Sequence, residues 1–367
     1  MENAVHHCAL APWRETSFGC RKVGVAFLAV LFFSAAIPAS GEEVAVQTVL
    51  QGLSNPCGVA IRPGGSAVGY EVFVSDSGAG RVVKMAKDKP GSATDAITGF
   101  ATAGSGPGPL ETSGPRGLLF LDRRHLLVVC GGGDEAESLR LYELPDVDGP
   151  LEADAAKRVI VAPSPSEGAG SVGRLYALAR THINARVPDL IVVTALGGES
   201  PGWLGKAAAR SGALGDLTPF VAAAEESQVN SPTGIVVNEN GYVVVGQMGS
   251  RDKPRDSVLE FYNPIDGTSV LAVRPMLHDV SGLACSLRTQ NLYVTDLAAA
   301  EPKQGGVFRI DGISRPGEPK CQAVRMATVE RPTALGFGPD GAVYVTACGP
   351  AAGEGVMVRL TGREDAL

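Results

Sequence analysis

Apolar and polar positions along this chain recur as one phrase, repeated six times. A polar turn opens a short apolar run, a second apolar run ends in a polar corner, and a third follows a charged bend. The clearest copy reads Ser54-Asn55-Pro56-Cys57-Gly58-Val59-Ala60-Ile61, then Tyr70-Glu71-Val72-Phe73-Val74-Ser75-Asp76-Ser77, then Gly80-Arg81-Val82-Val83-Lys84-Met85. Further copies begin at Gly114-Pro115-Arg116-Gly117, Val172-Gly173, Ser231-Pro232-Thr233-Gly234, Val280-Ser281-Gly282 and Arg331-Pro332-Thr333-Ala334. The runs are short, rich in Val, Leu and Ile, and bounded by Gly and Pro, which predicts strands joined by turns. Helical periodicity is nearly absent.

A repeat of about 48 to about 60 residues with three or four strands per copy is the pattern of a propeller blade with long corners. The chain is therefore expected to be all-β, a six-bladed β-propeller of four-stranded antiparallel blades. The last copy stops after its third strand. Val44–Leu50 supplies a spare strand ahead of Asn55-Pro56, in the place that Ala323–Met326 holds ahead of Arg331-Pro332. The ring is expected to be closed by this N-terminal strand pairing with the last blade, which leaves no open end.

Residues 1–41 stand apart. Arg14, Arg21 and Lys22 precede an apolar run from Val23 to Ile37, and small residues follow at Ala39, Ser40 and Gly41. That is the order of a secretory signal peptide, and the run is short for a membrane span. The chain is expected to be exported, periplasmic or extracellular, with residues 42–367 as one propeller. An uncleaved N-terminal anchor is the alternative, and the only expected tie to a membrane.

Composition narrows the partners. The formal charge is −7, and no basic run lies beyond the N-terminus. Nucleic acid is not an expected partner, because it needs clustered Lys and Arg. A protein or a small-molecule or saccharide ligand is.

In a propeller, the loops entering the first strands and leaving the second strands share one face around the central channel. Position alone puts Arg116, His278, Asp279, Gln247, Asp76 and Asp296 there as ligand-binding candidates, together with Cys57, Cys348 and Arg331. His278-Asp279 could serve as base or metal ligand. Asp76 and Asp296 read better as corner residues that bond backbone N–H groups. Five cysteines follow residue 41, and Cys57 with Cys348 is the candidate disulfide pair, while Cys285 and Cys321 sit too far apart across one blade. Gly197 to Leu217 reads as an insertion in the third blade, with Trp203 pinning it or lining a pocket.

The Tyr-x-Val-x-Val-x-Asp-Ser…Arg-Val-Val phrase of the first copy resembles NHL-repeat proteins and the six-bladed propellers of the senescence marker protein and gluconolactonase superfamily. The resemblance covers residues 42–367. It implies a divalent cation held by acidic and amide side chains just before the Gly that opens an inner strand. Here those positions read Cys57, Arg116, Val172, Thr233, Ser281 and Thr333, a poor cage for a hard cation. Soluble quinoprotein sugar dehydrogenases are a weaker resemblance, since Ser75-Asp76-Ser77-Gly78 stands where their His base is expected. The functional expectation is an exported binding scaffold. The alternative is a lactonase- or esterase-like hydrolase with a divergent metal site.

Overall fold

The short apolar runs resolve into six sheets, antiparallel but for one short edge pairing, described in a computed structural model for residues 44–64, 69–104, 112–132, 135–145, 149–163, 173–181, 187–197, 202–210, 213–221, 231–250, 253–314 and 320–362. Met1–Gly41 and Glu42–Leu367 are separate units, and every described residue belongs to the second. The expected leader lies outside the described residues.

Each sheet is one blade, built outward from the channel. Blade one runs Pro56–Ile61, Glu71–Asp76, Arg81–Ala86 and Ala93–Thr98. Leu151–Glu152, which follows the third strand of blade two in sequence, caps its outer edge in parallel. Blade two runs Gly114–Phe120, His125–Gly132, Glu135–Glu143 and Arg158–Val161. Blade three has Arg174–Arg180, Leu190–Leu196, Trp203–Arg210 and Thr218–Val221. Blade four has Pro232–Val237, Val243–Gln247, Val258–Tyr262 and Ser269–Val273. Blade five has Val280–Cys285, Leu292–Asp296, Gly306–Ser314 and Lys320–Thr328.

Blade six has Pro332–Phe337, Val343–Ala347 and Gly355–Thr361, and its outer strand is Ala45–Leu53. That strand pairs antiparallel with the last one, from Ala45 opposite Thr361 to Leu53 opposite Gly355. The chain ends meet in one sheet, as the strand count required.

Blade three corrects two expectations. The stretch containing Trp203 is no insertion: Trp203–Arg210 is a regular third strand paired along Leu190–Ala195. The repeat also begins later than Val172-Gly173. The inner strand is Arg174–Arg180, and its structural match to Cys57-Gly58 is Tyr176-Ala177.

The register shows why. Every inner strand carries a β-bulge near its start, in the steps Pro56/Gly58, Pro115/Leu118, Leu175/Leu178, Pro232/Ile235, Val280/Gly282 and Pro332/Ala334. A bulge re-aims the side chain of the extra residue. The residues so re-aimed are Cys57, Arg116, Tyr176, Thr233, Ser281 and Thr333. The residue after each is Gly or Ala, because a neighbouring blade's backbone crosses there. A Cβ at Gly282 would stand 2.9 Å from the Ala334 Cα, and one at Gly117 would stand 2.6 Å from the Tyr176 carbonyl oxygen.

The apolar core is accordingly six layers, one between each pair of neighbouring blades. The layer at the closure packs Val49, Leu50 and Leu53 of the N-terminal strand against Tyr70, Val72 and Val83 of blade one. Below it, Asp340 in blade six accepts a hydrogen bond from the Tyr70 hydroxyl at 2.7 Å and pairs with Lys87 of blade one at 3.1 Å. Burying a leucine contributes about 1.5–3 kcal/mol, so the N-terminal strand holds the ring shut by packing as well as by hydrogen bonds. Leu50→Ala should lower unfolding stability by about 2–5 kcal/mol. Val46→Ala, on the exposed side of the same strand, should change it by less than about 0.5 kcal/mol. Urea unfolding of the two variants beside wild type checks this.

Candidate functional site

The bulge side chains that the sequence offers as ligand contacts turn sideways, into the next blade. The Arg116 Nε donates to the Leu175 carbonyl at 2.7 Å. The Thr233 hydroxyl donates to the Val280 carbonyl at 2.5 Å, the Ser281 hydroxyl to Pro332 at 2.8 Å, and the Thr333 hydroxyl to Pro56 at 2.6 Å. Each acceptor is the residue before the bulge of the following blade. Blade one breaks the rule with Cys57, and there the Ser77 hydroxyl reaches the Pro115 carbonyl instead. Blade three breaks it with Tyr176, and the Thr194 hydroxyl bonds the Thr233 carbonyl at 2.7 Å.

Tyr176 is too long for the seam and lines the axis of the ring. There it borders a cavity of about 80 Å³ walled by all six inner strands, among them Val59, Leu118 and Leu335. Its hydroxyl is buried and bonds to no described residue. Burial pushes this phenol well up, and the nearby Cys57 and Cys348 push in the same direction. The channel is thus closed by aliphatic side chains and one tyrosine.

The other sequence candidates are held in place by their own corners. Asp76 accepts the Ser54 N–H at 2.5 Å and the Arg81 Nε at 3.0 Å. Burial pushes its carboxyl up, against the pull of those partners. Asp296 does the same work in blade five, accepting the N–H groups of His278 at 3.0 Å and Asp279 at 2.7 Å. Asp279 accepts the Ala299 N–H at 2.7 Å. The Gln247 amide donates to Glu260 at 2.9 Å, inside blade four, and Glu260 also accepts the Ser269 hydroxyl at 2.8 Å.

Arg116 is fully buried and also pairs with Glu137, whose carboxyl burial pushes up even so. The ligand-binding role expected of it from its position on the channel face does not fit a guanidinium committed in this way. His278 alone keeps an uncommitted side chain: it is half-buried, and its ring bonds to no described residue. The six candidates therefore do not converge on one pocket.

The cysteines follow the same pattern. Cys57 and Cys348 are buried free thiols rather than a disulfide, as are Cys130 and, less deeply, Cys285 and Cys321. The Cys57 Sγ donates to the Asn55 carbonyl at 3.2 Å, and the Cys348 Sγ lies 4.0 Å from the Pro56 carbonyl oxygen. Burial pushes the Cys57 thiol up to about 11 and raises Cys348 too. Both are neutral at pH 7, and neither is an activated nucleophile.

The donor set does not suit a divalent cation at the bulges. Four of the six bulge side chains are occupied as donors to the next blade, and among the described residues no group of three or more His, Cys, Asp or Glu is placed to hold an ion.

A second cavity lies off the axis. It has a volume of about 370 Å³ and opens between blades five and six, on the face where inner strands begin. The link Thr328–Arg331, the exit Ala347–Pro350 and the wall residues Val356 and Val358 form it. Position on the channel face was enough to single out Arg331 and Cys348. Nothing in the repeat distinguished them from their siblings, because the cavity arises from packing between two blades.

If the bulge hydrogen bonds hold neighbouring blades, Thr333→Val should cost about 1–3 kcal/mol by stranding the Pro56 carbonyl. Tyr176→Phe removes a hydroxyl with no partner among the described residues and should cost under about 1 kcal/mol. Chemical denaturation of the pair distinguishes them.

No family model and no curated protein sequence matches the chain. Its fold matches solved structures over most of its length. A luciferin-regenerating enzyme aligns at 12% identity with a TM-score of 0.55, covering 88% of this chain and 96% of the other. The soluble aldose sugar dehydrogenase of Escherichia coli aligns at 14% identity and TM-score 0.56, covering 87% and 100%. A gluconolactonase of Xanthomonas campestris aligns at 12% identity and TM-score 0.54, covering 87% and 90%. At these identities the likeness is one of fold. The chain is a six-bladed β-propeller that resembles, in architecture, the senescence marker protein and gluconolactonase family.

Proposed function

We propose that this propeller is a small-molecule hydrolase that opens lactones or esters on its channel face, beside blades five and six. The observation that carries the reading is the cavity of about 370 Å³ on that face, a volume within the range of small-ligand sites. Fold analogy to a gluconolactonase supports the reaction class and does not assign residues. The chemistry rests on His278, which lies outside the residues lining the cavity, in the link from blade four into blade five, and whose ring bonds to no described residue. As general base it would take a proton from water while the water oxygen adds to the acyl carbon. The acyl C–O bond then breaks, and the leaving alkoxide takes the proton back. A cation cage at the bulges plays no part in this scheme.

A panel of alkyl and sugar lactones and simple esters, followed by pH-stat with EDTA or with added Ca²⁺ or Zn²⁺, tests it. Turnover of at least one class is expected, with kcat falling about 10²-fold or more in His278→Gln and KM little changed. No turnover under any of these conditions would sink the hydrolase reading. Ligand binding without chemistry, the scaffold function expected from sequence, would then stand in its place.

Export is part of the same proposal and rests on the charged, apolar and small-residue order of residues 1–41. Protein recovered from the periplasm or medium should begin near Glu42 on N-terminal sequencing. An intact Met1 in the recovered protein would refute cleavage.

A further inference from the structure

We propose that the cavity between blades five and six takes an alkyl-bearing carboxylate, with Arg331 meeting its charge. The inference deepens the hydrolase reading and rests on it in one respect: a hydroxycarboxylate is what the opening of an alkyl lactone releases.

Arg331 is half-buried and lines the cavity; its carbonyl accepts the Cys348 N–H at 3.0 Å, and its guanidinium makes no hydrogen bond or ion pair with any described residue. Arginines at comparable depth elsewhere are engaged: Arg62 with Glu71, Arg140 with Glu135, Arg180 with Asp189 and Arg359 with Asp340. The neighbouring groups do not neutralise it. The Cys348 thiol is uncharged, held up by burial although Arg331 pulls it down. The Glu330 carboxylate lies at the exposed rim and forms no ion pair with it.

The backbone supplies a second, independent argument. Arg331 sits at φ 50°, in the left-handed region, two residues into the turn that feeds a bulge. The equivalent positions of blades one and two also have positive φ, at 52° and 131°. They are filled by Asn55 and Gly114, residue types that adopt such angles readily. An arginine does so rarely. Local conformation therefore does not explain this side chain, and residues kept in a disfavoured conformation cluster where a ligand is held.

The walls define the rest of the ligand. Thr328 and Glu330 bring a hydroxyl and a carboxylate to the exposed rim, while Val46, Val329, Pro350, Val356 and Val358 offer no donors or acceptors from their side chains. A sugar acid would leave its hydroxyls unpaired against them, whereas an alkyl chain would lose only water. A guanidinium meets a carboxylate with two parallel hydrogen bonds. The fitting class is thus a carboxylate with a short or medium alkyl chain.

The test is isothermal titration calorimetry of the full chain with butanoate, hexanoate, octanoate, octanamide and gluconate. Affinity should rise by up to about fourfold per added methylene until the cavity is full. Octanamide and gluconate should bind at least tenfold more weakly than octanoate. Arg331→Asn installs the residue that blade one uses at this angle, so it should fold as wild type does, with unchanged circular dichroism and melting temperature. It should lose at least tenfold in octanoate affinity and leave octanamide unchanged. Val46→Trp, at a partly exposed wall position, should weaken all the alkyl ligands by occlusion.

Equal octanoate binding by wild type and Arg331→Asn would overturn the inference. So would gluconate binding more tightly than octanoate, or no binding of any carboxylate. Octanoate binding without lactone turnover leaves this inference standing and removes only the hydrolase reading. Lactone turnover that Arg331→Asn does not alter, with no octanoate binding, does the reverse.

Discussion

Backbone approaches backbone where neighbouring blades meet along the channel, and the rest of the ring depends on that contact. Even a methyl cannot stand at the positions of Gly58, Gly117, Gly234 and Gly282 without pushing the next blade away, and the two remaining positions, Ala177 and Ala334, carry no more than a methyl. The bulge one residue earlier aims a side chain across the same seam. Where that side chain is Arg116, Thr233, Ser281 or Thr333, it donates to the carbonyl of the residue that precedes the neighbouring blade's bulge. Such a buried carbonyl would otherwise carry a desolvation cost of about 1–3 kcal/mol. Close packing and hydrogen bonding are thus solved by two adjacent residues in four of the six blades.

That solution has a functional consequence. Side chains that bridge blades are not free to converge on the axis, and the aliphatic ring one residue further on closes it. The inner-strand positions Arg116, Thr233, Ser281 and Thr333 are here part of the mechanical seam. Room for a ligand opens instead between blades five and six, where the link from Thr328 to Arg331 and the exit from Ala347 to Pro350 diverge. The cavity belongs to a pair of blades and has no counterpart in the repeat unit itself.

Particular residues mark where the repeat could and could not be read. The strands of blade one were legible because the short apolar runs Val72–Val74 and Val82–Val83 are bounded by polar and turn residues. Closure was legible because one strand was missing at the end and one was spare at the start. Blade three was misread by its glycine. Gly173 looked like the small residue of the seam, yet Ala177 fills it, since a methyl is tolerated there and a bulge precedes it. The third strand from Trp203 to Arg210 resembled a loop because Gly202, Gly205 and Ala207–Ala209 dilute its alternation. Asp76 and Asp296 showed the other difficulty. An acid at a corner has the same sequence signature whether it faces a ligand or grips Ser54 or Asp279 backbone N–H groups.

The sequence by itself determined the number of blades, their strand order and the way the ring closes, because those follow from alternation, turn residues and a count, all of which are local or periodic. Only the tertiary structure decided which polar residues face inward. The direction of a bulged side chain depends on the blade beside it, and that neighbour lies about 50 residues away in the repeat. For the same reason Arg116 became a strut between blades and Arg331 an unpaired cation at the mouth of a cavity, although both enter an inner strand at the same end of the ring.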